Sequence, residues 1–203
     1  YSQSELRQLM LSCSETLKEQ NCSLIGGHSA ESEDLTFGLS VNGFTTEDKV
    51  LCKNGMQKDD VLILTKPLGS GTLLAADMRS KASHSNIQGA LNAMAISNQE
   101  ASSILVKLKA TACTDITGFG LAGHLLEMLA KDRIEVSINL DEIPIMDGAV
   151  NSLKQGIFSS LHEDNRTVSS YISSHSNLSK MPKYEILFDP QTSGGLLASI
   201  SSD

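Results

Sequence analysis

Residues 112–129 read Ala-Cys-Thr-Asp-Ile-Thr-Gly-Phe-Gly-Leu-Ala-Gly-His-Leu-Leu-Glu-Met-Leu, and three backbone states succeed one another within them. Thr111 to Thr114 has the composition of a short strand that delivers Asp115 at its end. Gly118 and Gly120 then mark a turn. Leu121, Leu125, Met128 and Leu129 recur at helical spacing, and the basic cluster Lys131 to Arg133 stands where helix C-termini prefer cations. A strand passing through a glycine turn into a helix is a building step of folds in which strands and helices interleave.

The same alternation extends in both directions. Toward the N-terminus, Leu6, Leu9, Met10, Cys13 and Leu17 predict an amphipathic helix over Ser4 to Gln20, and Ser2 with Glu5 has the spacing of a capping box. Ser23 to Ile25 predicts a strand running into a tight turn at Gly26-Gly27-His28. Leu35, Phe37, Leu39 and Val41 alternate with polar or small residues as in a half-buried strand. Val61 to Leu64 predicts a buried strand, Thr72 to Met78 a helix, and Asn86 to Ala110 one or two helices broken near Ser97-Asn98. Toward the C-terminus, Ile134, Val136, Ile138 and Leu140 alternate as a strand, Pro144 to Ser160 is partly helical, and Ser159 to Ser179 is polar loop or weak helix. Tyr184 to Phe188 and Leu196 to Ile200 predict strands on either side of a turn at Asp189 to Gly195. The class is α+β, with α/β-type mixed sheet layers and helices.

Hydrophobic residues at 40% and charged residues at 20% of 203 fit a globular chain. With 16 Lys and Arg against 24 Asp and Glu, the net charge of -8 repels a nucleic-acid backbone. Aromatic content of 4% leaves few platforms for stacking bases. Neither nucleic acid nor membrane is an expected partner, since no apolar run approaches the roughly 18 residues of a spanning helix. The absence of a signal-peptide pattern predicts a cytoplasmic protein. Cys13, Cys22, Cys52 and Cys113 lack metal-ligand spacing and read as reduced, buried small hydrophobes.

Asp115, beside a turn that opens a helix, stands where a hard cation and phosphate oxygens could meet; a helix cap accounts for it as well on spacing alone. Gly26-Gly27 could bring backbone amides close to a phosphate or could shape a plain turn. His124 and Glu127 lie one helical turn apart and could share a metal, but a polar helix face explains them too. Lys66 to Gly71 lacks the ending of a phosphate-binding Walker motif.

Four segments taken together carry a resemblance: Gly26-Gly27-His28-Ser29 with Phe37-Gly38-Leu39, Leu64 to Gly69, Ala112 to Gly120, and Phe188-Asp189-Pro190-Gln191-Thr192-Ser193-Gly194-Gly195. In this order they resemble selenophosphate synthetases (selenide, water dikinases) of the aminoimidazole ribonucleotide synthetase-like superfamily. The resemblance implies an N-terminal ATP-binding domain, of which residues 1–43 are a remnant, and an α+β C-terminal domain at residues 44–203, truncated at its end. It implies conversion of selenide, ATP and water to selenophosphate, AMP and orthophosphate, with Mg2+ as cofactor. Gly26, Gly27 and His28 inherit contact with ATP, and Asp115 inherits the role of magnesium ligand. The family's glycine-rich segment with its catalytic Cys or selenocysteine and Lys has no counterpart here, so no catalytic residue is assigned and the chain alone is expected to be inactive. An opening Tyr1 in place of Met fits a piece of something longer. A homodimer is expected, because a remnant helix with two strands leaves sheet edges to be paired. Two other readings are another ATP-dependent enzyme of the superfamily and a non-catalytic binding module on the same fold.

Overall fold

The computed structural model describes residues 2–130, 134–173 and 175–202. The chain divides into two compact units, residues 1–45 and 46–203. In the first, helix α1 (Gln3–Glu19) begins at the expected capping box. The Glu5 amide donates to Ser2 Oγ at 3.3 Å, and the Ser2 amide donates to Glu5 Oε2 at 2.6 Å. That exchange satisfies two amides that a helix start leaves without partners. The expected strands at Ser23 to Ile25 and Leu35 to Val41 do not form. Both stretches lack a ladder partner among the described residues, and Leu35, Phe37, Leu39 and Val41 are exposed.

The second unit is built on three strands, β1 (Val61–Leu64), β2 (Ala112–Asp115) and β3 (Leu196–Ile200), in the order β1-β3-β2. Both ladders are antiparallel, pairing Leu64 with Leu197 and Cys113 with Ala198; a parallel component appears as an isolated bridge between Leu68 and Ile145. The two-residue period of β3 splits the core. Leu197 faces the larger cluster, with Leu68, Leu73, Ile116, Leu121, Leu125, Met128, Tyr184 and Phe188. Ala198 faces the smaller one, with Cys113 and Leu105. Helices α2 (Ser70–Met78), α3 (His84–Ala95), α4 (Gln99–Lys107), α5 (Gly120–Leu129), α6 (Ala149–Lys154), α7 (His162–Arg166) and α8 (His175–Leu178) complete the unit. The expected break near Ser97-Asn98 separates α3 from α4.

Two further strand expectations are corrected. Ile134, Val136 and Ile138 do alternate inward against the core, but the segment makes no ladder among the described residues. Alternation therefore reports which side faces in, not whether a neighbouring strand is present. Pro182–Phe188 is a 3₁₀ helix rather than a strand. Pro182 starts it, and all of Tyr184 to Phe188 is buried, so the backbone satisfies itself locally. The basic cluster Lys131 to Arg133 lies outside the described residues. Among the described residues no helix is long and apolar enough to cross a membrane.

Candidate functional site at the end of the central strands

Asp115 ends β2 opposite Leu196 and is exposed. It shares a side of the strand with Cys113, whose buried thiol is pushed above its ordinary pKa first by burial and then by the Asp115 charge. Among the described residues the Asp115 carboxylate has no hydrogen-bond or ion-pair partner, and no three His, Cys, Asp or Glu side chains converge. A single outward carboxylate does not fit a closed structural metal site. It does fit magnesium, which keeps several waters and is held by one or two carboxylates together with phosphate oxygens.

The loop after Asp115 is fixed from several sides. The Ile116 amide donates to the Gly195 carbonyl at 2.9 Å, and the Gln191 amide donates to the Thr117 carbonyl at 2.8 Å. Asn165 Nδ2 donates to the Gly118 carbonyl at 2.7 Å and to that of Phe188 at 3.0 Å. Gly120 takes φ +68, and a Cβ there would stand 2.9 Å from the backbone of Phe188, so glycine is required where the loop enters α5.

His124 belongs to this scaffold and not to a metal site. The Thr117 amide donates to its Nε2 at 3.0 Å, which leaves the ring proton on Nδ1, 3.2 Å from Glu127 Oε2. Lys53 Nζ completes the chain at 3.0 Å from the same oxygen, and its hydrogen bond is the main reason that Glu127 lies below the ordinary carboxylate pKa. Both ring nitrogens are engaged, so the shared-metal reading of His124 and Glu127 does not hold.

The Asp189 to Gly195 turn is likewise a clamp. Gln191 Oε1 accepts from the amides of Gly69 and Ser70 at 2.9 and 3.2 Å, capping the start of α2. Gln191 Nε2 donates to Asp189 Oδ2 at 2.9 Å, and Thr72 donates to Oδ1 at 2.7 Å.

Sequence reasoning missed His162, which read as one more polar residue of a serine-rich stretch. It is fully buried, stacked on Phe158 with ring centroids 4.5 Å apart, and its Nε2 lies 3.0 Å from Glu185 Oε2. Arg166 Nε grips the same carboxylate at 3.0 Å. Sequence reasoning could have used the spacing of His162 and Arg166, four residues apart on one helix face, as a signal.

Gly26, Gly27 and His28 lie in the first unit, exposed and without regular structure. The expected tight turn is absent: neither glycine takes a positive φ, and a Cβ at either would meet nothing within 4 Å. No phosphate cradle is formed by these residues in this conformation. Of the four cysteines only Cys113 is buried, and Cys52 is exposed, so the expectation of four buried thiols is also corrected.

The family model described as AIR synthase related protein, C-terminal domain, matches residues 57–201. Curated relatives named selenide, water dikinase include that of Bdellovibrio bacteriovorus, 36% identical over 197 residues, covering 96% of this chain and 56% of the relative. The protein of that name from Campylobacter jejuni is 38% identical over 196 residues, covering 97% of this chain and 56% of its own length. The chain thus spans about half the length of these relatives. Among solved structures, thiamine-monophosphate kinase from Stenotrophomonas maltophilia superposes with a TM-score of 0.52 at 14% identity, covering 76% of this chain and 43% of that one. At that identity the likeness speaks for the fold alone.

Proposed function

The chain belongs to the AIR synthase related protein family, C-terminal domain, and on that premise we propose that it is part of a selenide, water dikinase. In this reading the whole protein converts selenide, ATP and water into selenophosphate, AMP and orthophosphate. Residues 1–43 belong to its N-terminal ATP-binding domain and residues 44–203 to its C-terminal domain. The curated relatives of that name support the assignment, and one structural observation ties it to chemistry: an outward, unpartnered carboxylate at Asp115 on a loop held by neighbouring backbone.

Asp115 would be the chain's ligand to Mg2+, and a bound magnesium would offset the charge of phosphate oxygens as it develops during transfer. The carboxylate supplies a hard oxygen and faces outward. The Gly195 and Gln191 contacts keep it from drifting with the loop. An acidic chain can take an anionic nucleotide by this route, because carboxylates recruit the cation and the cation recruits phosphate. Gly26, Gly27 and His28 are assigned to ATP by their motif. Their exposed conformation, without regular structure, has to close for that contact. The protein is assigned to the cytoplasm and to a homodimer, with ATP and selenide as its substrates.

Asp115→Asn in the full-length protein tests the assignment. The amide keeps the shape and removes the charge, so selenide-dependent formation of AMP should fall by about a hundredfold or more while the thermal midpoint stays near that of the wild type. Unchanged turnover would remove Asp115 from the site.

A further inference from the structure

Lys66 follows β1 and is only 7% exposed, yet among the described residues no carboxylate stands within ion-pair distance of its ammonium. Burial pulls its pKa below the ordinary lysine value. Its partners are main-chain carbonyls: Nζ donates to Ile96 O at 2.6 Å and to Ser193 O at 3.0 Å. A buried cation without a counter-ion is costly, and an apolar side chain would fill the same volume without that cost. Packing alone therefore does not account for a lysine here.

The ammonium grips the turn that leads into β3. Ser193 in that turn has φ 48, a conformation that a non-glycine residue holds only under constraint. Asn98 holds the next residue, its Nδ2 donating to Gly194 O at 3.0 Å while its buried Oδ1 has no partner among the described residues. The far side of the same turn rests on the loop at Asp115. A Cβ on Gly194 would lie 2.0 Å from the Ile116 carbonyl oxygen, and the Ile116 amide donates to Gly195 O. One short turn thus carries an ammonium grip on one flank and the residue after Asp115 on the other.

We propose that Lys66, assisted by Asn98, is a positioning residue for a cation site at Asp115, holding the Ser193–Gly195 turn so that the turn holds the carboxylate. This inference rests on the reading of Asp115 as a metal ligand. It assigns Lys66 no contact with substrate.

The test is manganese(II) binding to the full-length protein, followed by electron paramagnetic resonance in the presence of a non-hydrolysable ATP analogue. Wild type, Asp115→Asn, Lys66→Met, Lys66→Arg and Asn98→Ala are compared, each counted per folded molecule from its own thermal transition. Lys66→Met should weaken manganese binding about tenfold, as loss of a residue supporting a ligand does, and Lys66→Arg should recover part of that loss by keeping a cationic donor. A change in stability alone would lower the thermal midpoint and leave the affinity of the folded protein untouched. If Lys66→Met does not fold, Lys66→Arg and Asn98→Ala decide, each expected to weaken binding severalfold. Wild-type affinity in the Lys66 and Asn98 variants beside a loss in Asp115→Asn overturns the positioning role alone. Wild-type affinity in Asp115→Asn overturns the metal reading, and the positioning role with it.

Discussion

Asp189 has no access to solvent, and its two carboxylate oxygens are taken by the Thr72 hydroxyl and the Gln191 amide. Burial pushes its carboxyl up to about 6, against the pull of those two hydrogen bonds and of nearby His162. The folded protein therefore holds this proton where the unfolded chain has released it. The resulting stabilisation is complete below the ordinary carboxylate range and disappears as pH rises through about 6. Asp189→Asn has no such titration, so between pH 4 and pH 7 the wild type should lose roughly 2 kcal/mol more unfolding free energy than the variant. Urea denaturation of both proteins at the two pH values measures this, and parallel profiles would refute it. At this scale, legibility followed sequence distance. The place of Asp115 at a strand end could be read because strand, turn and helix are its immediate neighbours. Lys66, His162 and Asp189 could not, because Ser193 lies 127 residues from Lys66, Glu185 lies 23 from His162 and Thr72 lies 117 from Asp189.

Among the elements, helices were legible because a helix satisfies its own backbone, so period and caps suffice; α1 and the break between α3 and α4 follow from local sequence. Strands were legible only where a ladder partner exists. Leu35 to Val41 and Ile134 to Leu140 alternate in the two-residue period of a half-buried strand but have no neighbour to pair with among the described residues. Tyr184 to Phe188 has strand-forming residues, yet burial on every side and Pro182 at its start favour a self-satisfied 3₁₀ turn. The joint between β2 and β3 also carries a prediction. A methyl group on Gly194 would press against the Ile116 carbonyl at 2.0 Å, a backbone atom that cannot yield without breaking the adjacent bond to Gly195. Gly194→Ala should therefore cost about 2–4 kcal/mol of stability, which denaturant titration reads directly. An unchanged midpoint would mean that the turn and the Asp115 loop move apart freely.

On the scale of the whole molecule, the two units differ in what they bury. Residues 46–203 enclose a core that contains Tyr184, Phe188 and Met128 without solvent exposure. In the first unit α1 has no buried residue, Phe37 is 46% exposed and Val41 72%. Apolar side chains at two-residue spacing, on a stretch without a ladder partner among the described residues, form a surface that another strand can pair with and cover. A second copy of the chain offers the same pattern, and two copies about a twofold axis would satisfy both at once. Sedimentation equilibrium at micromolar concentration should therefore return twice the chain mass. Phe37→Asp, which sets a charge in the middle of the alternating stretch, should shift the equilibrium toward monomer by at least tenfold in dissociation constant, since burying an unpaired charge costs more than the roughly 1.4 kcal/mol that a factor of ten represents. The core of residues 46–203 should be untouched by that change, so the thermal transition of the second unit serves as the control. A wild-type chain that sediments only as monomer would remove the dimer from the proposed function and leave the alternating stretch for another segment to cover.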